Sequence, residues 1–225
     1  MGEDRYSISI FAPITGKVVD LSEVPDPVYA GRLMGDGVAI VPEDGTMFSP
    51  VTGCLNVIAE DKHAFGFTSD DGLEILVHIG VESKLQPDCC VVHQKLNSRV
   101  QAGDLIAEFN LPELQARDIN LITPVIICGG LNGKVIKPAA GYVQAGSGEV
   151  IKVIDEEARA KYEAERASGN EKKAAQPPAR KQAAESEAMD FLRDRANWPK
   201  LIGGFVLMTL LLVVVFVGVA MLIGH

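Results

Sequence analysis

The hexapeptide Phe11-Ala12-Pro13-Ile14-Thr15-Gly16 recurs 37 residues later as Phe48-Ser49-Pro50-Val51-Thr52-Gly53. In each copy proline presets φ and glycine permits a positive φ, so each reads as a turn that launches the apolar segment behind it. A weaker third copy, Lys137-Pro138-Ala139-Ala140-Gly141, keeps the Pro-x-x-Gly spacing. A turn repeated in this way implies a duplicated β motif.

The chain as far as Ile154 agrees with that reading. Short apolar runs are separated by Gly, Pro, Asp and Asn at close spacing, the pattern of an all-β sandwich or barrel. The expected strands are Ser7–Phe11, Lys17–Leu21, Val38–Val41, Cys54–Ala59, Ala64–Thr68, Leu73–Ile79, Leu105–Phe109, Val125–Cys128, Lys134–Lys137 and Val150–Ile154. One short helix is expected over Pro112–Asn120.

From Asp155 the composition turns to Ala, Glu, Lys, Arg and Gln. Asp155–Ala167 and Lys181–Ala196 have helical propensity, broken by Ser168-Gly169-Asn170 and Pro177-Pro178. This is a helical linker and not a second domain. Leu201–Gly224 then contains no charged residue. As a helix it would be about 36 Å long, enough for a hydrocarbon core of about 30 Å. Arg193, Arg195 and Lys200 precede it, Trp198 suits an interfacial anchor, and His225 follows. The charge bias places the N-terminal domain in the cytoplasm, and the charged Met1–Tyr6 stretch lacks the apolar core of a signal peptide. The expected organisation is therefore a β domain over 1–154, a linker over 155–199 and a single-pass tail anchor in the cytoplasmic membrane over 200–224.

The chain has 21 Lys and Arg against 30 Asp and Glu, a net charge of −9. Asp155–Lys200 contains ten of each sign, so the β domain holds the whole excess. Such an acidic surface disfavours nucleic acid as a partner. Cys54, Cys89, Cys90 and Cys128 show no C-x-x-C spacing and read as reduced thiols.

Two strand-like segments, His63–Thr68 and Leu73–Ile79, flank Ser69-Asp70-Asp71-Gly72 and predict a hairpin. With a four-residue loop, Phe67 faces Glu74, Phe65 faces Leu76 and His63 faces His78, with opposed Cβ atoms about 5 Å apart. With a two-residue Asp71-Gly72 loop the histidines become diagonal neighbours on one face. An odd-length loop would split them, because a one-residue slip flips the face. Ile75, Val77 and Ile79 should point into the core, while Phe65 and Leu76 share the histidine face and could dock a partner. A pair of imidazoles suits three roles: phosphoryl carriage, with one ring bearing the group and the other stabilising it; metal binding, for which two ligands are too few; or plain surface residues. His93 and His225 read as structural or surface residues. No cofactor and no resident metal are expected.

Ala12-Pro13-Ile14-Thr15-Gly16, Gly35-Asp36-Gly37-Val38-Ala39-Ile40, Ser49-Pro50-Val51-Thr52-Gly53, His63-Ala64-Phe65, Glu74–Gly80, Gly103-Asp104 and Thr123-Pro124-Val125 together resemble the glucose-family enzyme IIA of the bacterial phosphoenolpyruvate–sugar phosphotransferase system. The resemblance spans about Ile8 to Ile154. It implies a duplicated β-sandwich in which His78 accepts a phosphoryl group through Nε2 and His63 is the ancillary histidine. It implies the histidine phosphocarrier protein as donor and a sugar-permease IIB domain as acceptor. Departures from the family pattern are Asp61 where a Thr is usual, Glu82 and Ser83 beyond the active strand, and Pro87-Asp88-Cys89-Cys90 at the rim. Asp61 could hydrogen-bond His63, orient it and raise its pKa, and Glu82 and Ser83 join Phe65 and Leu76 as docking residues. The alternative is a membrane-tethered regulatory binding module that keeps the fold and feeds no permease. A LytM-type zinc peptidase is disfavoured because His78-Ile79-Gly80 lacks the second His of H-x-H.

Overall fold

The computed structural model describes residues 6–81, 89–117 and 119–167. The linker beyond Ala167 and the apolar run expected to form a transmembrane helix lie outside the described residues. Among the described residues no helix is long and apolar enough to cross a membrane.

In chain order the strands are β1 (Ser7–Phe11), β2 (Gly16–Val19), β3 (Asp36–Pro42), β4 (Thr46–Phe48), β5 (Gly53–Ile58), β6 (Ala64–Ser69), β7 (Glu74–His78), β8 (Cys90–Val92), β9 (Ser98–Val100), β10 (Leu105–Phe109), β11 (Thr123–Gly129), β12 (Val135–Pro138), β13 (Gly141–Val143) and β14 (Glu149–Ile154). One sheet has the order β13-β2-β3-β11-β7-β6-β5-β9; two smaller sheets have the orders β1-β14-β12 and β4-β10-β8. All-β architecture is thus as expected. Of the strands not anticipated, β4, β8, β9 and β13 are three residues each, too short to show a period of two.

The large sheet reads the same from both edges. The series β13-β2-β3-β11 and β9-β5-β6-β7 run inward and meet where Val125 pairs with Val77. Gly16 pairs with Pro42 in β2–β3, as Gly53 pairs with Ser69 in β5–β6. The two hexapeptides bond each other: the Phe11 N–H donates to the Pro50 carbonyl at 2.9 Å and the Phe48 N–H to the Pro13 carbonyl at 2.8 Å. Thr15 Oγ1 accepts from the Ala145 N–H, and Thr52 Oγ1 from the Ala102 N–H. Those donors belong to a second repeat, Gln101-Ala102-Gly103 and Gln144-Ala145-Gly146, which lies outside the hexapeptides. The duplication is therefore real, but the hexapeptide glycines serve differently from expectation. Neither has a positive φ. A Cβ on Gly16 would lie 2.1 Å from the Val41 carbonyl oxygen, and one on Gly53 would lie 2.1 Å from that of Thr68. Close backbone approach, not a left-handed turn, demands glycine there.

The main core is built from the inward faces of these sheets and includes Ile10, Ile14, Met47, Leu55, Phe65, Phe67, Val77 and Ile106. A second apolar cluster covers the opposite face of β3 and β11. It consists of Val19, Leu21, Val24, Tyr29, Ala39, Ile122 and Ile126. The segment between β2 and β3 supplies it, as a 3-10 turn over Leu21–Glu23 and helix α1 (Pro27–Ala30). Asp26 caps α1 and Pro27 opens it, a favourable start because proline's missing N–H costs nothing in the first turn. Helix α2 (Leu111–Ala116) occupies only part of the expected Pro112–Asn120. Helix α3 (Glu156–Ala167) begins where expected, with Asp155 Oδ1 accepting the Ala158 N–H at 3.0 Å. The compact β-rich unit extends to Lys161.

Candidate functional site

The hairpin β6–β7 has a register that neither expected loop allowed. Ala64 pairs with His78, Phe65 with Val77, Gly66 with Leu76 and Phe67 with Ile75. The Ser69 N–H donates to the Leu73 carbonyl at 2.8 Å, leaving Asp70-Asp71-Gly72 as a three-residue loop. Gly72 takes φ +79°, and the Ser69 hydroxyl accepts the Leu73 N–H at 3.0 Å. These two features suit a three-residue hairpin loop with glycine in the left-handed position.

An odd loop should send His63 and His78 to opposite faces, yet their ring centroids are 4.9 Å apart at 64°. His63 escapes the alternation because it precedes β6. Lys62 before it adopts φ +56° in a tight turn, with its N–H donating to the Ala59 carbonyl. The Ile79 N–H donates to the His63 carbonyl at 2.7 Å, which holds the turn against the end of β7. The slip also corrects the expectation for Phe65. Its side chain is fully buried in the core, edge-on to Phe109 at 6.3 Å, and has no surface to offer a partner. Leu76 stays on the outer face with His78, and Ile75, Val77 and Ile79 point inward as expected. Glu82 and Ser83 lie outside the described residues.

The His78 ring is held on several sides. Its Nδ1 bonds the Gly80 carbonyl. Gly80 has φ +68°, which turns that carbonyl back toward the ring. A carbonyl can only accept, so Nδ1 carries the proton and Nε2 keeps its lone pair. Burial, with the neighbouring His63 second, pulls the His78 pKa down to about 4; the Gly80 bond and the Asp26 carboxylate oppose this. At neutral pH the ring is therefore an uncharged imidazole with a defined tautomer. Tyr29 of α1 adds a second aromatic contact at 5.5 Å and 54°. Burial also lowers the His63 pKa, and the Asp61 charge only partly offsets it. The expected rise through Asp61 is thus reversed by desolvation. Among the described residues the buried His63 Nδ1 has no hydrogen-bond partner, so Asp61 does not orient the ring through that atom.

Elsewhere His93 bonds Glu108 at 2.7 Å on the surface. The four cysteines are free thiols. Among the described residues no group of three or more His, Cys, Asp or Glu is arranged to hold a metal. Tyr29, Asp26 and Gly80 were not anticipated around His78. Asp26-Pro27 is a visible helix-start signal, but nothing local shows that the helix it starts would reach β7. Chemically the site offers a neutral nitrogen nucleophile in a half-buried recess, flanked by a second neutral imidazole.

Residues 8–131 match the family described as phosphoenolpyruvate-dependent sugar phosphotransferase system, EIIA 1. The chain is 39% identical over 155 residues to a glucose-specific EIIA component of the phosphotransferase system from Bacillus cereus, covering 68% of this chain and 94% of that protein. It is 35% identical over 150 residues to the equivalent component from Oceanobacillus iheyensis, covering 66% and 91%. Among solved structures it is similar to glucose permease IIA from Mycoplasma capricolum, with a TM-score of 0.60 and 30% identity, covering 64% of this chain and 95% of that one.

Proposed function

The chain belongs to the EIIA 1 family of the phosphoenolpyruvate-dependent sugar phosphotransferase system, and from that premise we propose that it is a phosphohistidine carrier in which His78 Nε2 takes the phosphoryl group. The donor is the histidine phosphocarrier protein and the acceptor a sugar-permease IIB domain. The relatives from Bacillus cereus and Oceanobacillus iheyensis are named as glucose-specific, which makes glucose the sugar to test first. The observation that carries the proposal is the bond from His78 Nδ1 to the Gly80 carbonyl, beside an imidazole 4.9 Å away. It leaves Nε2 nucleophilic at neutral pH.

In the transfer the P–N bond to the donor histidine breaks as the bond to His78 Nε2 forms. The ring gains positive charge while its Nδ1–H remains on the Gly80 carbonyl, which stabilises it. His63 provides a polar nitrogen beside the phosphoryl oxygens. The protein's contribution is position and charge stabilisation, as the group moves from the donor's nitrogen to His78 Nε2. On the same reading the segment over 200–224 tethers the domain to the cytoplasmic membrane and concentrates it near permeases.

The test incubates the full-length chain with phosphoenolpyruvate and the two general phosphotransferase proteins and measures acid-labile phosphate by intact mass. Wild type should gain one phosphoryl and His78→Ala none. His63→Gln should accept the group and fail to pass it on. A folded wild-type chain that takes no label would refute the carrier role and leave the tethered binding module. Membrane fractionation of the chain with and without residues 200–225 tests the tether separately.

A further inference from the structure

His78 lies beside the centre of the large sheet, where the two copies of the β motif meet. The relation that takes Gly16 to Gly53 and Val18 to Leu55 takes their partners Pro42 and Ile40 to Ser69 and Phe67. Ile40 pairs on to Thr123 and Phe67 to Ile75, so Val125 corresponds to Val77 and Ile126 to His78. The copies differ at one connection. Between β5 and β6 the chain turns in a few residues and delivers His63. Between β2 and β3 it runs from Asp20 to Gly35. That longer segment folds over the outer face, buries Ile126, and carries Tyr29 past it to the His78 ring. One copy thus presents His63 to the acceptor and the other presents Tyr29.

A buried tyrosine in an apolar cluster is ordinarily a packing residue. Three observations set this one apart. The Tyr29 ring leaves that cluster's apolar packing to meet the His78 ring, with centroids 5.5 Å apart. Its backbone is pinned, because Asp26 Oδ1 accepts the N–H groups of Val28 at 2.7 Å and Tyr29 at 3.4 Å. Both ends of the segment are stapled by Arg32, which binds Asp20 at 2.8 Å and Asp36 through its other nitrogen. A helix of four residues has no stability of its own, so this bracing is what makes it a fixed wall.

We infer that Tyr29 is a positioning residue for the phosphoryl acceptor: its ring restricts rotation of the His78 imidazole, so that Nδ1 stays on the Gly80 carbonyl and Nε2 faces the incoming group. The inference rests on the reading of His78 as acceptor. Tyr29 touches neither donor nor phosphoryl in this role; it acts through the His78 ring. The charged and titratable groups that bear on His78 are Asp26 from α1 and His63 from the β5–β6 turn, with Asp61 acting on His63. Burial holds the Tyr29 phenol well above its ordinary pKa, so it stays neutral throughout the working range.

The experiment uses the full-length chain in mild detergent with nitrogen-15-labelled histidine. Nuclear magnetic resonance reads the His78 tautomer and titration, and phosphoryl acceptance is measured against donor concentration. In Tyr29→Ala the imidazole should show a mixed tautomer and titrate nearer its ordinary value. The kcat for acceptance should fall about ten- to a hundredfold, as for a reacting group displaced by about 1 Å. Tyr29→Phe, which keeps the ring, should recover the rate and the tautomer. Tyr29→Leu keeps the bulk but not the flat wall; it carries the test if Tyr29→Ala fails to fold, with the losses expected of Tyr29→Ala. An unchanged tautomer and titration in a folded Tyr29→Ala or Tyr29→Leu chain would overturn the inference, as would an effect confined to KM. The resonance readout needs no phosphoryl donor. Failure of the carrier reading would instead appear as an unlabelled wild type with its tautomer intact.

Discussion

Acidification should destabilise this chain through His78 in a defined pH window. The ring's pKa is about 4 in the folded protein against 6.5 for an ordinary histidine, chiefly because burial penalises the charged form. Between those values the unfolded chain binds the proton and the folded chain does not. Stability therefore falls as pH drops from about 6.5 to about 4, and this contribution is lost in full below that. Two and a half units at 1.36 kcal/mol each come to about 3 kcal/mol. That is a sizeable part of the 5–15 kcal/mol typical of a domain. The assay is urea denaturation followed by far-ultraviolet circular dichroism, at pH 7, 6, 5 and 4, for wild type and His78→Gln. The other ionisable groups are common to both proteins and largely cancel in the difference. Wild-type stability relative to the variant should drop by about 3 kcal/mol across the range. A difference that stays constant with pH would refute the argument, since it would mean the ring accepts a proton in the folded state as easily as in the unfolded one.

Other outcomes follow from the same structure. Phosphoryl acceptance should be flat from pH 8 to about 5 and fall below that, because only the neutral ring has a free Nε2; a rate profile with a midpoint near 6.5 would contradict this. Gly16→Ala and Gly53→Ala should each cost about 3 kcal/mol or more, since each Cβ meets a backbone carbonyl oxygen at 2.1 Å. The two losses should be similar in urea denaturation, because the sites correspond in the duplicated motif. Phe65→Ala should cost about 3–5 kcal/mol through the cavity it leaves in the core, with the donor KM unchanged while the chain is folded. Leu76→Ala should show the opposite split, a small stability loss and a raised donor KM.

The elements that sequence reading recovered are those whose cause is local. Strands of four or more residues stand out as apolar runs between turn residues, Asp155 announces the start of α3, and the repeated hexapeptide reveals a duplication that the sheet order then displays from edge to edge. Three-residue strands such as β8 and β9 leave too short a pattern; they exist because a neighbour offers them a ladder. The Gln-Ala-Gly repeat was legible in principle, but its meaning lies in the Thr15 and Thr52 hydroxyls that meet it far along the chain.

The histidine pair shows most sharply where local reasoning stops. Sequence reading placed His63 and His78 together by opposing them across an even-length loop, and the loop is odd. They meet because Lys62 turns left-handed and lifts His63 out of the pleat, while the same register sends Phe65 into the core. The sequence by itself determined the class of fold, the duplication, the hairpin and the identity of its two imidazoles, because turn chemistry and side-chain period act over a few residues. Tertiary structure alone decided the register, the neutral state of His78 and the wall that Tyr29 builds beside it. Those depend on burial and on contacts between segments tens of residues apart, and neither has a local signature for a linear pattern to carry.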